Sequence, residues 1–104
     1  MTQFFFNSSG QWIAFRRDPG DRFLFDQNGN WIGWFPWNDD CAVSVNGTYL
    51  ASVRGNRLVK FITAPYRGYP GYPGYPGYPG YPGYPGYAGY SPLPCGAIDP
   101  NIED

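Results

Sequence analysis

From Gly68 to Tyr90 the chain repeats Gly-Tyr-Pro in a single register, with glycine at 68, 71, 74, 77, 80, 83, 86 and 89. Proline holds φ at about −65° and removes a backbone donor, so the tract can enter neither a helix interior nor a central strand. What remains is extended chain carrying a row of phenol rings. Three forms are open to it. Glycine at every third position satisfies the packing rule of a collagen triple helix. A tail biased toward polyproline II would use its rings as stickers and reach on the order of 70 Å at about 3.1 Å per residue. A bait segment would dock in the aromatic groove of a proline-recognising protein, with repetition supplying avidity. The residues expected to carry multivalent contacts of the tail are Tyr69, Tyr72, Tyr75, Tyr78, Tyr81, Tyr84, Tyr87 and Tyr90.

The tract leaves residues 1–64 to build a folded domain, itself occupies 65–92, and is followed by an acidic end, 93–104, that shows no secondary-structure signal. A domain of about 60 residues is marginal on core burial alone, so self-association or a tail strapped back onto it would help. The seven Lys and Arg residues are dispersed and the net charge is −1, which is not the footprint of a nucleic-acid binder. With no histidine and one lysine, the chain has no Ser-His or Cys-His pair and no obvious general base. It reads as a non-enzyme without cofactor. Cys41 and Cys95 read as free thiols, and two cysteines without histidine cannot make a structural zinc site. Asp26, Asn28 and Asn30 imitate the start of a calcium loop, but Trp31 stands where glycine is required and Trp37 where the bidentate glutamate should be. Turn chemistry explains them better. The first residues hold no signal-like apolar stretch, and no span approaches the about 20 apolar residues of a membrane helix. The expectation is a cytoplasmic protein without a membrane span.

Residues 3 to 63 alternate short apolar runs with Gly, Asn, Asp and Pro clusters, the spacing of strands and turns. Strands are expected near 3–7, 11–16, 22–26, 30–36, 41–45, 48–54 and 57–63. Short connections, among them Asn28-Gly29 and Asn46-Gly47, make consecutive strands antiparallel. An internal repeat runs through them: Phe4 to Phe15 aligns with Phe23 to Trp34, and Asn46 to Ser52 gives a looser third copy. Gly10, Gly29 and Gly47 recur with it, as do Trp12, Trp31 and Tyr49. The expected fold is all-β: an antiparallel meander of about seven short strands from three hairpin repeats, closed as a small barrel or curled as a sheet, followed by the polyproline-II-like tail. Strand alternation would put Trp31, Gly33, Phe35 and Trp37 on one face and Ile32 and Trp34 on the other. Both faces would then be apolar.

An aromatic strand, an Asn-Ser-Ser-Gly or Asp-Gln-Asn-Gly turn and then Trp-Ile, in copies of about 18 to 20 residues, resembles the hairpin repeats of cell-wall-binding modules of the choline-binding type. The resemblance covers residues 4 to about 53. It implies aromatic cages for a quaternary ammonium, carried here by Trp12, Trp31, Trp34 and Tyr49.

Two functions follow. The first is an interaction or assembly protein whose tyrosine tail binds other copies of itself or a protein with an aromatic groove. The second is a ligand-binding module in which Trp12, Trp31, Trp34 and Trp37 form a platform for a glycan or a choline-like cation.

Overall fold

The computed structural model describes residues 2–37, 39–64 and 67–100. Seven strands follow one another as a meander: β1 (Gln3–Phe6), β2 (Trp12–Arg16), β3 (Phe23–Asp26), β4 (Trp31–Trp34), β5 (Cys41–Ser44), β6 (Tyr49–Arg54) and β7 (Arg57–Phe61). Each pairs antiparallel with the next, and β1 also pairs with β7, which closes the sheet into a barrel. The closing pair is parallel, Phe6 opposite Arg57. Parity requires this, because in an up-and-down meander of seven strands the first and last run the same way. The all-β class and the seven strands agree with the sequence.

Three hairpins supply six of the strands, and they are built alike. Each turn is closed by a glycine N–H, Gly10, Gly29 or Gly47, donating to the carbonyl of Asn7, Asp26 or Ser44. The side-chain oxygens of those three residues accept in turn from the N–H of Gln11, Asn30 and Thr48. Asp26 is buried and also takes the Asn28 N–H, so its oxygens serve as a turn cap. Gly29 sits at φ +86°, where a side chain would be strained.

The strand alternation expected for β4 is corrected. Pairing runs Leu24 to Gly33 and then Phe25 to Trp31, which leaves Ile32 as an extra residue. A bulge of this kind sends the residues flanking it to opposite faces. Trp31 therefore joins Phe23 on the outer face, while Phe35 packs inside with Leu24. Ile13 and Leu50 are the extra residues of the other two hairpins, and all three aliphatic bulges pack against the interior cluster. That cluster holds Phe5, Ala14, Leu24, Phe35, Ala42, Ala51, Val53 and Leu58. A second, outer cluster of Phe6, Trp12, Phe15 and Phe25 meets Ala88 of the tail.

The C-terminal part departs from expectation in two ways. Ala97–Ile98 forms a short strand, β8, antiparallel to β7 through Lys60 and Phe61. Beyond it, Asp99 accepts hydrogen bonds from the Ser8 N–H (2.8 Å) and hydroxyl (2.6 Å). The tract is extended but is not one continuous polyproline II helix, because its eight glycines all have φ between 82° and 95°. Polyproline II and the collagen strand need φ of about −75°, which glycine alone among these residues is free to abandon. Each triplet thus leaves the polyproline II backbone at its glycine, and the molecule measures only 35 × 34 × 24 Å.

Candidate functional site: a tyrosine belt on the barrel

The tract lies on the outer face of the barrel and visits the hairpins in reverse order. Tyr69 is against Gly47 of the third hairpin. Tyr72 and Tyr75 lie over Trp31 of the second hairpin, with ring centroids at 5.6 and 5.9 Å. Tyr78 presses on Gly29 of the same hairpin. Tyr81 and Tyr84 lie over Trp12 of the first, at 5.9 and 6.0 Å. The step from Tyr69 to Tyr78, from Tyr72 to Tyr81 and from Tyr75 to Tyr84 is nine residues in each case, or three triplets per hairpin.

Both tryptophans are fixed from below. The Trp12 indole N–H donates to the Ala14 carbonyl at 2.9 Å, and that of Trp31 to Gly33 at 2.7 Å. The indole then lies along its own strand and offers a face to the tract. Offset and tilted aromatic pairs at such distances are worth about 0.5–1.5 kcal/mol each beyond the area they bury.

The far end of the belt is held by backbone hydrogen bonds. Ala88 replaces proline in the repeat, and its N–H donates to the Gly10 carbonyl at 2.9 Å, a bond proline cannot make. Arg57 spans the seam, donating to the carbonyls of Asn7, Gly89 and Ala88. The Ser91 N–H donates to the Ser8 carbonyl. Neither Arg57 nor Ala88 was singled out from the sequence. Ala88 is legible as the one break in the proline register, whereas Arg57 gives no signal.

The tract tyrosines stay mostly exposed, and the six from Tyr69 to Tyr84 touch the barrel through part of each ring. Their exposure runs from 59% for Tyr72 to 75% for Tyr90. Together they form a band of phenols that each keep more than half of their surface exposed.

The four tryptophans are not gathered on one open surface. Trp12 is buried beneath its tyrosine pair and Trp31 half-buried beneath the other. Trp34 is buried with the Arg22 guanidinium 5.2 Å from its ring, and its indole N–H has no partner among the described residues. Trp37 is half-buried, with Arg67 stacked on it at 4.3 Å. Arg67 is held there by Asp39 at 2.7 Å. The hydrogen bond from Arg67, helped by the Cys41 N–H, holds the Asp39 carboxyl below its ordinary value of 3.8.

Other arginines are used in the same manner. Arg16 lies over Phe5 and Phe35, Arg17 over Phe23 and Phe25, and Arg54 over Phe61. Cys41 and Cys95 are free thiols. Among the described residues no helix is long and apolar enough to cross a membrane. No protein-family model, curated protein or solved structure matches this chain.

Beside Trp37 the third hairpin holds a cavity of about 310 Å³, lined by Trp37, Cys41, Val43, Tyr49, Ala64 and Arg67 among others. Tyr49 takes the place that Trp12 and Trp31 occupy in the other hairpins: it pairs with Val43 as they pair with Phe6 and Phe25. Its hydroxyl bonds Ser52 at 2.7 Å and accepts from the Phe61 N–H at 3.1 Å, which fixes the ring as a wall.

Proposed function

We propose that this chain is a non-enzymatic interaction protein that associates multivalently through the tyrosine belt. The observation that carries the reading is the exposure of the tract tyrosines, 59% or more in every case, on a backbone whose position the barrel holds. A free tail loses conformational entropy on each contact it makes. Here much of that ordering is built into the fold, so each outward ring is available to a partner at lower cost. Tyrosine suits the role because it gives large contact area with few rotatable bonds and a polar edge. Eight rings of similar exposure also make the surface repetitive, which favours many weak contacts over one strong one.

The partner is a second copy of the chain or a protein with an aromatic groove. Light scattering on a sizing column tests the first directly. The full chain is compared with a variant carrying serine at Tyr69, Tyr78, Tyr87 and Tyr90, the rings that do not lie over Trp12 or Trp31. The expected result is a mass that rises with concentration for the full chain and stays at one chain for the variant. A full chain that stays at one chain mass in the millimolar range removes self-association, and equal masses for the two proteins remove the belt as its cause.

A further inference from the structure

Six Gly-Tyr-Pro triplets run unbroken from Gly68 to Pro85. Tyrosines from four of them lie over tryptophans, Tyr72 and Tyr75 on Trp31 and Tyr81 and Tyr84 on Trp12. Moving the tract by one triplet would leave these contacts unchanged in kind. In one direction Tyr75 and Tyr78 would lie over Trp31, and Tyr84 and Tyr87 over Trp12. In the other, Tyr69 and Tyr72 would lie over Trp31, and Tyr78 and Tyr81 over Trp12. Register is weakly specified where a repeating, glycine-rich pattern offers equivalent pairings. The rings hold the tract on the barrel without choosing among these three positions.

The ends of the tract differ in what they can select. Before it, Arg67 is tied by an exposed ion pair with Asp39 and by its stack on Trp37, and exposed pairs hold weakly. After it, Arg57 takes the carbonyls of Ala88 and Gly89, a group that every triplet offers equally. What changes from triplet to triplet is the third residue: proline as far as Pro85, then Ala88, then Ser91, then Pro94. Ala88 and Ser91 both spend their N–H on the first hairpin, on the carbonyls of Gly10 at 2.9 Å and Ser8 at 2.8 Å. A shift one way would bring Pro94 to the Ser8 carbonyl, and a shift the other way would bring Pro85 to that of Gly10. Proline has no N–H to give. Of the three registers, the observed one alone makes both bonds.

We infer that Ala88 and Ser91, bracketed by Pro85 and Pro94, are the register key of the belt. The pairing of tyrosines with tryptophans is counted back from this key and not forward from β7. The key therefore decides which tyrosines cover Trp12 and Trp31 and which are left free of them. A tract of another length would keep the same cover on both tryptophans, with the surplus gathered between Ala64 and the third hairpin. This role holds whether or not the belt binds a partner.

A chain lengthened by one Gly-Tyr-Pro triplet tests this, because it keeps the barrel, both ends of the tract and the key. Far-UV circular dichroism matching the unmodified chain establishes that it folds. Nuclear Overhauser contacts to the indoles are the readout. Counted from the N-terminus, the contacts are expected to move by one triplet, to Tyr75 and Tyr78 on Trp31 and to Tyr84 and Tyr87 on Trp12. Contacts that stay on Tyr72, Tyr75, Tyr81 and Tyr84 would place the control at Arg67 and overturn the key. A second variant, Ala88→Pro with Ser91→Pro at the natural length, removes the key. It should give more than one indole N–H signal for each of Trp12 and Trp31, one for each register occupied. A single set of contacts identical to that of the unmodified chain overturns the inference. So does loss of every contact, since the rings are held to keep the tract docked without the key. If the unmodified chain shows no such contacts, the docked belt itself falls, which is a separate result.

Discussion

Single residues in this chain do work that their neighbours in the repeat cannot. Ala88 interrupts a run of prolines, and its N–H reaches Gly10. Ala88→Pro would restore the written repeat and yet is expected to destabilise the protein by about 1 kcal/mol, the net worth of one hydrogen bond. A lowered urea midpoint checks it. At Gly29, φ is +86° and an added Cβ would lie 2.5 Å from the Tyr78 ring. Gly29→Ala is expected to cost more than about 1 kcal/mol and to push the belt off the turn, seen as altered Tyr78 ring shifts. Asp39 has its folded value depressed below 3.8 by Arg67 and the Cys41 N–H. Its contribution is therefore complete above pH 3.8 and is lost as pH falls through the lower folded value. Because Arg67 lies on Trp37, the fluorescence of that indole should change over the same acid range. The change should be absent in Asp39→Asn.

At the scale of elements, the strands are legible in the sequence because their signals are local: apolar runs between Asn-Gly, Asp-Pro-Gly and Gly-Asn turns. The recurrence of glycine and aromatic positions likewise marks the three hairpins. The bulges are hidden. Ile13, Ile32 and Leu50 are ordinary strand residues by type, and nothing in their identity shows that the partner strand skips them. Strict alternation therefore places Trp31 and Phe35 on one face when they belong to two clusters. The short strand Ala97–Ile98 is too brief to leave a pattern. Docking of the tract is legible only as an option, from the small size of the domain, since low-complexity sequence carries no periodic apolar face. Its match to the barrel appears only when three triplets are laid against each hairpin. The belt therefore belongs to the fold's stability. A chain ending at Ala64 loses four tyrosine–tryptophan pairs, worth about 2–6 kcal/mol together. It should show red-shifted tryptophan emission and a lowered melting temperature.

For the molecule as a whole, a barrel of small size acquires a second layer from its own tail, and that layer presents tyrosines outward in fixed order. The barrel's short strands leave little core, and the tail adds cover to the outer cluster around Trp12 and Phe25. Several arginines lie over Phe and Trp rings, and seven basic against eight acidic residues leave no basic field on the surface. The exposed chemistry is accordingly aromatic. The belt presupposes that the tract holds its register on the barrel in a single chain. Nuclear Overhauser contacts between tyrosine rings and the Trp12 and Trp31 indoles, recorded at a dilution where light scattering gives one chain mass, test this most directly. The account predicts contacts from Tyr72 and Tyr75 to Trp31 and from Tyr81 and Tyr84 to Trp12. Tyrosine signals at unstructured shifts, with no contact to either indole, would contradict it.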